Sequence, residues 1–219
     1  MTDAGAVSLP TAPAVIHRIW LGGAMLPGYD HGAAWRDMLP GWDHVLWGDG
    51  DLAGWSVSPL LERAGRFAPR NDVVRWKVDV FRLAVLFEHG GVYVDCDTVP
   101  LRPLDGLLGE PFVAQSPNDL SKATNAVMGF PPRHPYIGAM LDGLEDRVKR
   151  LKGRRVVEQV GGFYLTELLP AHRDVRMLPW WLFAGRSIRD RRRGIGRDRR
   201  NITEGFVDHT YLNTARKQG

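Results

Sequence analysis

The sequence predicts an α/β fold: one domain with a mainly parallel central sheet flanked by helices. Three observations carry this. Short apolar runs of strand character alternate with longer runs of helical spacing. The most regular helical stretch, Asn71–His89, stops at Gly90-Gly91 and runs straight into the apolar Val92-Tyr93-Val94. The chain has 219 residues, 44% hydrophobic and 25% charged, which suits a single globular core.

The elements follow in order. Residues 1–13 read as a flexible lead-in, without the basic start and apolar run of a signal peptide. Ala14–Leu21, AVIHRIWL, reads as a buried strand closed by Gly22-Gly23, with His17 as a core histidine. Tyr29–Met38 suits a short helix before Pro40, and His44–Trp47 a second strand turned by Asp49-Gly50-Asp51. Ser58–Arg66 suits a helix. In the long helix, Val73, Trp76, Val80, Phe81, Ala84, Val85 and Phe87 recur at helical spacing, with Asn71 as N-cap. Pro111–Gln115 and Ala126–Phe130 are further strands, and His134–Leu151 and Val156–Leu169 further helices. Val175–Phe183 is apolar and extended, confined to an edge or split by Pro179. A basic loop at 186–204 and a C-terminal tail at 206–219 complete a domain expected to span 14–219.

Composition excludes several functions. No window reaches the roughly 18 apolar residues of a membrane span. The single cysteine, Cys96, rules out an intramolecular disulfide framework and a cysteine-based zinc cluster, and a cytoplasmic setting is the simplest expectation. The net charge of +4 is local: residues 186–200 hold eight arginines and two aspartates, leaving the remainder slightly acidic. That run reads as a solvated loop, as a patch for anionic lipid at the inner membrane face or for polysaccharide, or as a nucleic-acid contact. Lacking interleaved aromatics and any nucleic-acid fold signature, it does not make nucleic acid the expected partner.

Chemistry concentrates in VDVFRLAVLFEHGGVYVDCD, residues 78–97. Asp95 and Asp97 stand at the end of a strand, where extended backbone puts i and i+2 on one face and sends Cys96 the other way, into packing. Two such carboxylates suit a hard divalent cation, manganese or magnesium. In parallel α/β sheets ligands lie at the carboxyl ends of the strands, where this pair falls. The second D-x-D, Asp49-Gly50-Asp51, has the composition of a turn. Asp79 and Arg82, at i and i+3, share a helix face, and spacing leaves them open as an ion pair or as contacts for sugar hydroxyls.

This passage resembles the sugar-binding region of glycosyltransferase family 32, which includes yeast-type mannosyltransferases and to which the glucosylating domains of clostridial toxins are related. The shared pattern is Asp79, Arg82, Gly90-Gly91, Tyr93, Asp95 and Asp97. IHRIWLGG (16–23), LPGWDHVLWGDGD (39–51) and ATNAVMGF (123–130) are similar to further family strands. The resemblance implies a GT-A fold, a nucleotide-diphosphate-sugar donor (uridine first, guanosine second), a glycan or glycolipid acceptor as in polysaccharide synthesis, and retention of anomeric configuration. It implies Trp20 near the base, Asp79, Arg82, Tyr93 and Asn125 at the donor sugar, Asp97 as metal ligand, and Asp95 at the ribose or a metal-bound water. The family tends to end on a histidine followed by Ser-Trp. His209 fits the histidine, as a further metal ligand or phosphate contact, but Thr214-Ala215 stands in place of Ser-Trp. That departure motivates a rival reading, a catalytically weak nucleotide-sugar binding module. Gly161-Gly162 and Trp180-Trp181 stay open between helix break or core packing and an acceptor site.

Overall fold

The computed structural model describes residues 11–210. Five of the strands expected from apolar runs form: β1 (Val15–Ile19), β2 (Asp43–Trp47), β3 (Gly91–Val94), β5 (Phe112–Ser116) and β6 (Asp119–Phe130). The edge strand β7 (Arg176–Leu178) ends at Pro179, which lacks the N–H that pairing needs. The order in the sheet is β2-β1-β3-β6-β5-β7. β1 pairs in parallel with β2 and β3, β5 pairs in parallel with β7, and β6 alone runs the other way. A separate antiparallel ribbon joins β4 (Thr98–Pro100) to β8 (Val207–His209).

The strand pleat divides the core. On one face Tyr93, Met128, Phe130 and Val113 pack against α3 (Val73–His89), α4 (Pro135–Arg150) and α6 (Gly162–Leu168). On the other, Val92, Val94, Val127 and Phe112 meet Trp35 of α1 (Gly32–Met38), Leu104 and Val207. α3 stops where Gly90 and Gly91 take φ of 65° and 86°, and a Cβ on Gly91 would collide with Val15 of β1. The Gly-Gly pair thus lets the chain reverse and seat β3 directly beside β1.

Several elements differ from the sequence reading. The N-cap of α3 is Asp72, because Arg70–Asp72 forms a single 3-10 turn that takes up Asn71. Ser58–Arg66 divides into α2 (Ser58–Glu62) and a 3-10 turn. The expected helix 156–169 breaks into α5 (Val156–Gln159) and α6, because Gly162 passes too close to the Ala123 carbonyl for a side chain. β6 is longer than its apolar part, since its polar half, 119–124, pairs with β5 at the surface. The basic segment is not all loop: it contains α7 (Ile188–Arg192) and α8 (Arg199–Glu204). Packing begins ahead of residue 14, with Ala12 buried and its N–H bonded to the Leu108 carbonyl at 3.0 Å.

Candidate functional site

Parallel strands deliver the site residues to one edge. β1 and β3 pair with His17 opposite Tyr93, so Trp20, just past β1, and Asp95, just past β3, leave the same edge of the sheet. β6 brings Asn125 there from the opposite direction, and the Asp95 N–H donates to the Ala126 carbonyl at 2.8 Å. The chain runs from β1 outward to β2, then returns to β3 on the other side. The site therefore lies at a switch point of the sheet, the position where ligands bind in open α/β sheets.

Asp95–Asp97 is not extended as the sequence reading had it. Thr98 donates to the Asp95 carbonyl through N at 3.1 Å and through Oγ1 at 2.6 Å, closing a turn between β3 and β4. Cys96 does point away: its buried Sγ donates to the Ile19 carbonyl at 3.3 Å, and burial pushes the thiol up to about 12. Convergence of the two carboxylates comes from the turn and from β8. Thr98 pairs with His209 in the ribbon, and Thr210 donates to the Asp97 carbonyl through both N and Oγ1. His209 Nε2 then lies 3.0 Å from Asp97 Oδ1 and 3.8 Å from Asp95 Oδ2. Burial disfavours a charged imidazole there, but Asp97, Asp95 and Asp208 outweigh it and raise the pKa above the ordinary value.

Asp79 and Arg82 are both 3% exposed, which removes the surface ion-pair reading. Arg82 Nη2 meets Asp79 Oδ1 at 2.6 Å, and Nη1 meets Asp95 Oδ1 at 3.1 Å and donates to the Asn125 carbonyl. The guanidinium lies over the Tyr93 ring, 4.3 Å from its centroid, and the Tyr93 hydroxyl donates to Asp95 Oδ1 at 2.9 Å. Burial lifts the pKa of Asp79, while Arg82, Arg75 and the Asn125 side chain oppose it. Asp79, Arg82, Tyr93, Asp95 and Asn125 thus form one connected cluster, joined through Asp95 to Asp97 and His209.

Trp20 sits on the same edge but not in this cluster. Its indole N–H donates to the Gly23 carbonyl at 3.0 Å, and its ring lies 5.1 Å from that of Tyr29. The second D-x-D is structural: Asp49 accepts from the N–H groups of Gly22 and Gly23, and Asp51 from Gly48. His17 is a satisfied core histidine, with Nε2 donating to the Gly90 carbonyl at 3.0 Å and Nδ1 accepting from Trp47 at 3.2 Å. Two contributors were not assigned to this cluster by the sequence reading. Gly161 closes against Asp79, where an added Cβ would stand 3.5 Å from Oδ2, a position that only the helix break hinted at. Thr210 carried no signal at all. Thr214-Ala215 lies outside the described residues.

Asp95, Asp97 and His209 offer three ligand atoms within 4.8 Å of one another. Two carboxylate oxygens and one imidazole nitrogen could hold a divalent cation, with coordination positions left for substrate oxygens. Within the cluster three carboxylates face one permanent cation, Arg82, so the site carries an excess of negative charge that a divalent ion would balance.

Residues 33–114 match the family model described as a glycosyltransferase sugar-binding region containing the DXD motif. The chain is 30% identical over 145 residues to inositol phosphoceramide mannosyltransferase 2 of Schizosaccharomyces pombe, an alignment covering 64% of this chain and 40% of that protein. It superposes on PaToxG glycosyltransferase with a TM-score of 0.59 at 16% identity, over 75% of this chain and 70% of that one. The ligand-free glycosyltransferase domain from the YGT toxin gives 0.57 at 9% identity, over 78% and 81%. At such identities the structural likeness bears on the fold. Residues 33–114 are therefore similar to the DXD-containing sugar-binding region of glycosyltransferases, and the chain has a fold of the GT-A type.

Proposed function

We propose that the protein is a retaining glycosyltransferase that takes a sugar from a nucleotide-diphosphate donor with the help of a divalent cation, within one domain spanning 14–219. The observation that carries this reading is the buried Asp79–Arg82 pair held against Asp95, beside the three-residue ligand set. Asp79 and Arg82 fix the donor sugar through their remaining hydrogen-bonding capacity, and Trp20 offers an aromatic face for the base further along the edge. Asp97, His209 and Asp95 hold manganese or magnesium, which when bound neutralises the charge that grows on the departing diphosphate. Each carboxylate of the cluster is already engaged, Asp79 and Asp95 by Arg82 and Asp97 by His209, so none is assigned as a covalent nucleophile. The acceptor oxygen attacks the anomeric carbon from the face the diphosphate leaves, and the acceptor proton passes to the departing phosphate oxygen.

The acceptor class is a glycan or glycolipid, with a uridine diphosphate sugar the first candidate donor and a guanosine diphosphate sugar the second. A panel of nucleotide sugars, each with and without manganese, tests this by product formation and thermal shift. A donor at 100 times its Kd adds about 2.7 kcal/mol of stability by linkage. In a chain of 219 residues that raises Tm by roughly 5–11 °C. No shift and no manganese-dependent turnover with any donor would reject the reading.

A further inference from the structure

The arginine-rich segment lies outside the acidic cluster and raises a separate question. Of its three acidic residues, Asp190 is taken up by the Ser187 hydroxyl and N–H, Asp198 caps α8 and pairs with Arg200 at 3.1 Å, and the exposed Glu204 also acts on Arg200. Arg197 pairs with Asp208 at 3.3 Å. Arg189, Arg192, Arg193 and Arg199 are exposed, and of these only Arg193 acts on a carboxylate among the described residues, Asp190. Two large apolar side chains stand among these cations, Ile195 at 48% and Ile202 at 61% exposure. Arg200 covers Trp181, its guanidinium 5.5 Å from the ring centroid.

Charge alone would suit any polyanion; the isoleucines narrow the choice. A nucleic acid is gripped mainly by cations and by aromatic faces that stack on bases, and uses aliphatic side chains chiefly as wedges between base steps or against thymine methyls. An anionic bilayer uses both, drawing arginines to its headgroups and apolar side chains into the acyl boundary. No described helix is long and apolar enough to cross a membrane, so contact would be with the surface. We propose that residues 186–204 dock the protein onto an anionic lipid surface. Buried Asn201 anchors this face, donating to the carbonyls of Trp181 and Val207. Since α8 leads through Gly205 and Phe206 into β8, a docked molecule holds His209 and its acidic cluster close to the headgroups.

The test is vesicle co-sedimentation of the full chain without donor, which separates it from the proposed activity. The chain should bind vesicles of phosphatidylcholine mixed with phosphatidylglycerol, release them as salt rises, and ignore phosphatidylcholine alone. Arg192→Ala with Arg193→Ala should weaken binding about fivefold per arginine, hence roughly 25-fold together. Ile202→Ser should weaken it by about fivefold while leaving retention on heparin or duplex DNA unchanged. All three side chains are exposed, so the variants should melt with the parent. Equal binding to neutral vesicles, absence of binding to both, or an Ile202→Ser variant with unaltered vesicle affinity would each overturn the proposal. The last outcome together with tight DNA binding would assign the patch to nucleic acid.

Discussion

Replacing Arg82 with lysine separates the two things its guanidinium does, carrying charge and bridging. In the folded chain Nη2 holds Asp79 at 2.6 Å while Nη1 holds Asp95 at 3.1 Å. A lysine ammonium supplies the same charge from one nitrogen without the planar fork, so it serves one carboxylate well and loses the other. Losing a hydrogen bond to a charged group costs about 1.5–3 kcal/mol. Asp79, whose pKa burial already raises, can take a proton, which limits the penalty of leaving it unpaired. For 219 residues each kcal/mol moves Tm by about 2–4 °C, so the variant should melt roughly 3–12 °C lower. Assayed well below that temperature, transfer should fall at least about 100-fold, the penalty of misplacing a reacting group. Affinity for the nucleoside diphosphate alone, measured by calorimetry, should stay within a few-fold, because the pair grips the sugar. If nucleotide and nucleotide-sugar lose affinity equally, the pair is only a support for the fold and its assignment to the donor sugar is wrong.

Asp97→Asn removes charge from a ligand position while keeping its shape. Manganese-dependent turnover should drop at least about 100-fold, whereas Asp49→Asn, which keeps an oxygen for Gly22 and Gly23, should stay within a few-fold. The reverse ranking would move the metal site. His17 gives a pH signature independent of the site: burial foremost, and then nearby His89, lower its pKa to about 4 against the Gly90 carbonyl. Because the folded pKa is depressed, the unfolded chain takes the proton first, so this contribution is complete above pH 6.5 and is lost as pH falls towards 4. The loss is about 3 kcal/mol. In urea titrations His17→Gln should flatten that part of the acid slope, and an unchanged slope would place the sensitivity elsewhere.

Where local pattern and tertiary packing agree, the sequence was legible. The Val73–Phe87 periodicity, Gly90-Gly91 and the run after them produced α3 and β3 almost to the residue, because the helical stripe, the positive-φ reversal and the buried strand impose the same geometry. The Asp79–Arg82 pair could be placed on one helix face but not judged buried, since spacing says nothing of what covers that face. The D-x-D backbone was misjudged as extended because the turn depends on Thr98 and on pairing with β8, more than a hundred residues away. Short helices α7 and α8 were hidden by a composition that reads as solvated coil, whereas Asn201 shows that buried hydrogen bonds to distant carbonyls hold that face in place.

The ribbon that carries His209 also dictates when the site can come into being. All six strands of the central sheet lie within residues 15–178, whereas the imidazole that meets Asp97 stands 112 residues beyond it. During synthesis the sheet can form before β8 has left the ribosome, so the turn that brings Asp95 and Asp97 together is completed only when β8 arrives. Closing a loop of that length costs about 4 kcal/mol of chain entropy. Burial of Val207 against the sheet, the ribbon bonds and the Asn201 anchor offset that cost, and all three arrive only with the end of the chain. A refolding experiment should therefore find two clocks, an early one in the circular dichroism of the sheet and a later one in the capacity to bind manganese.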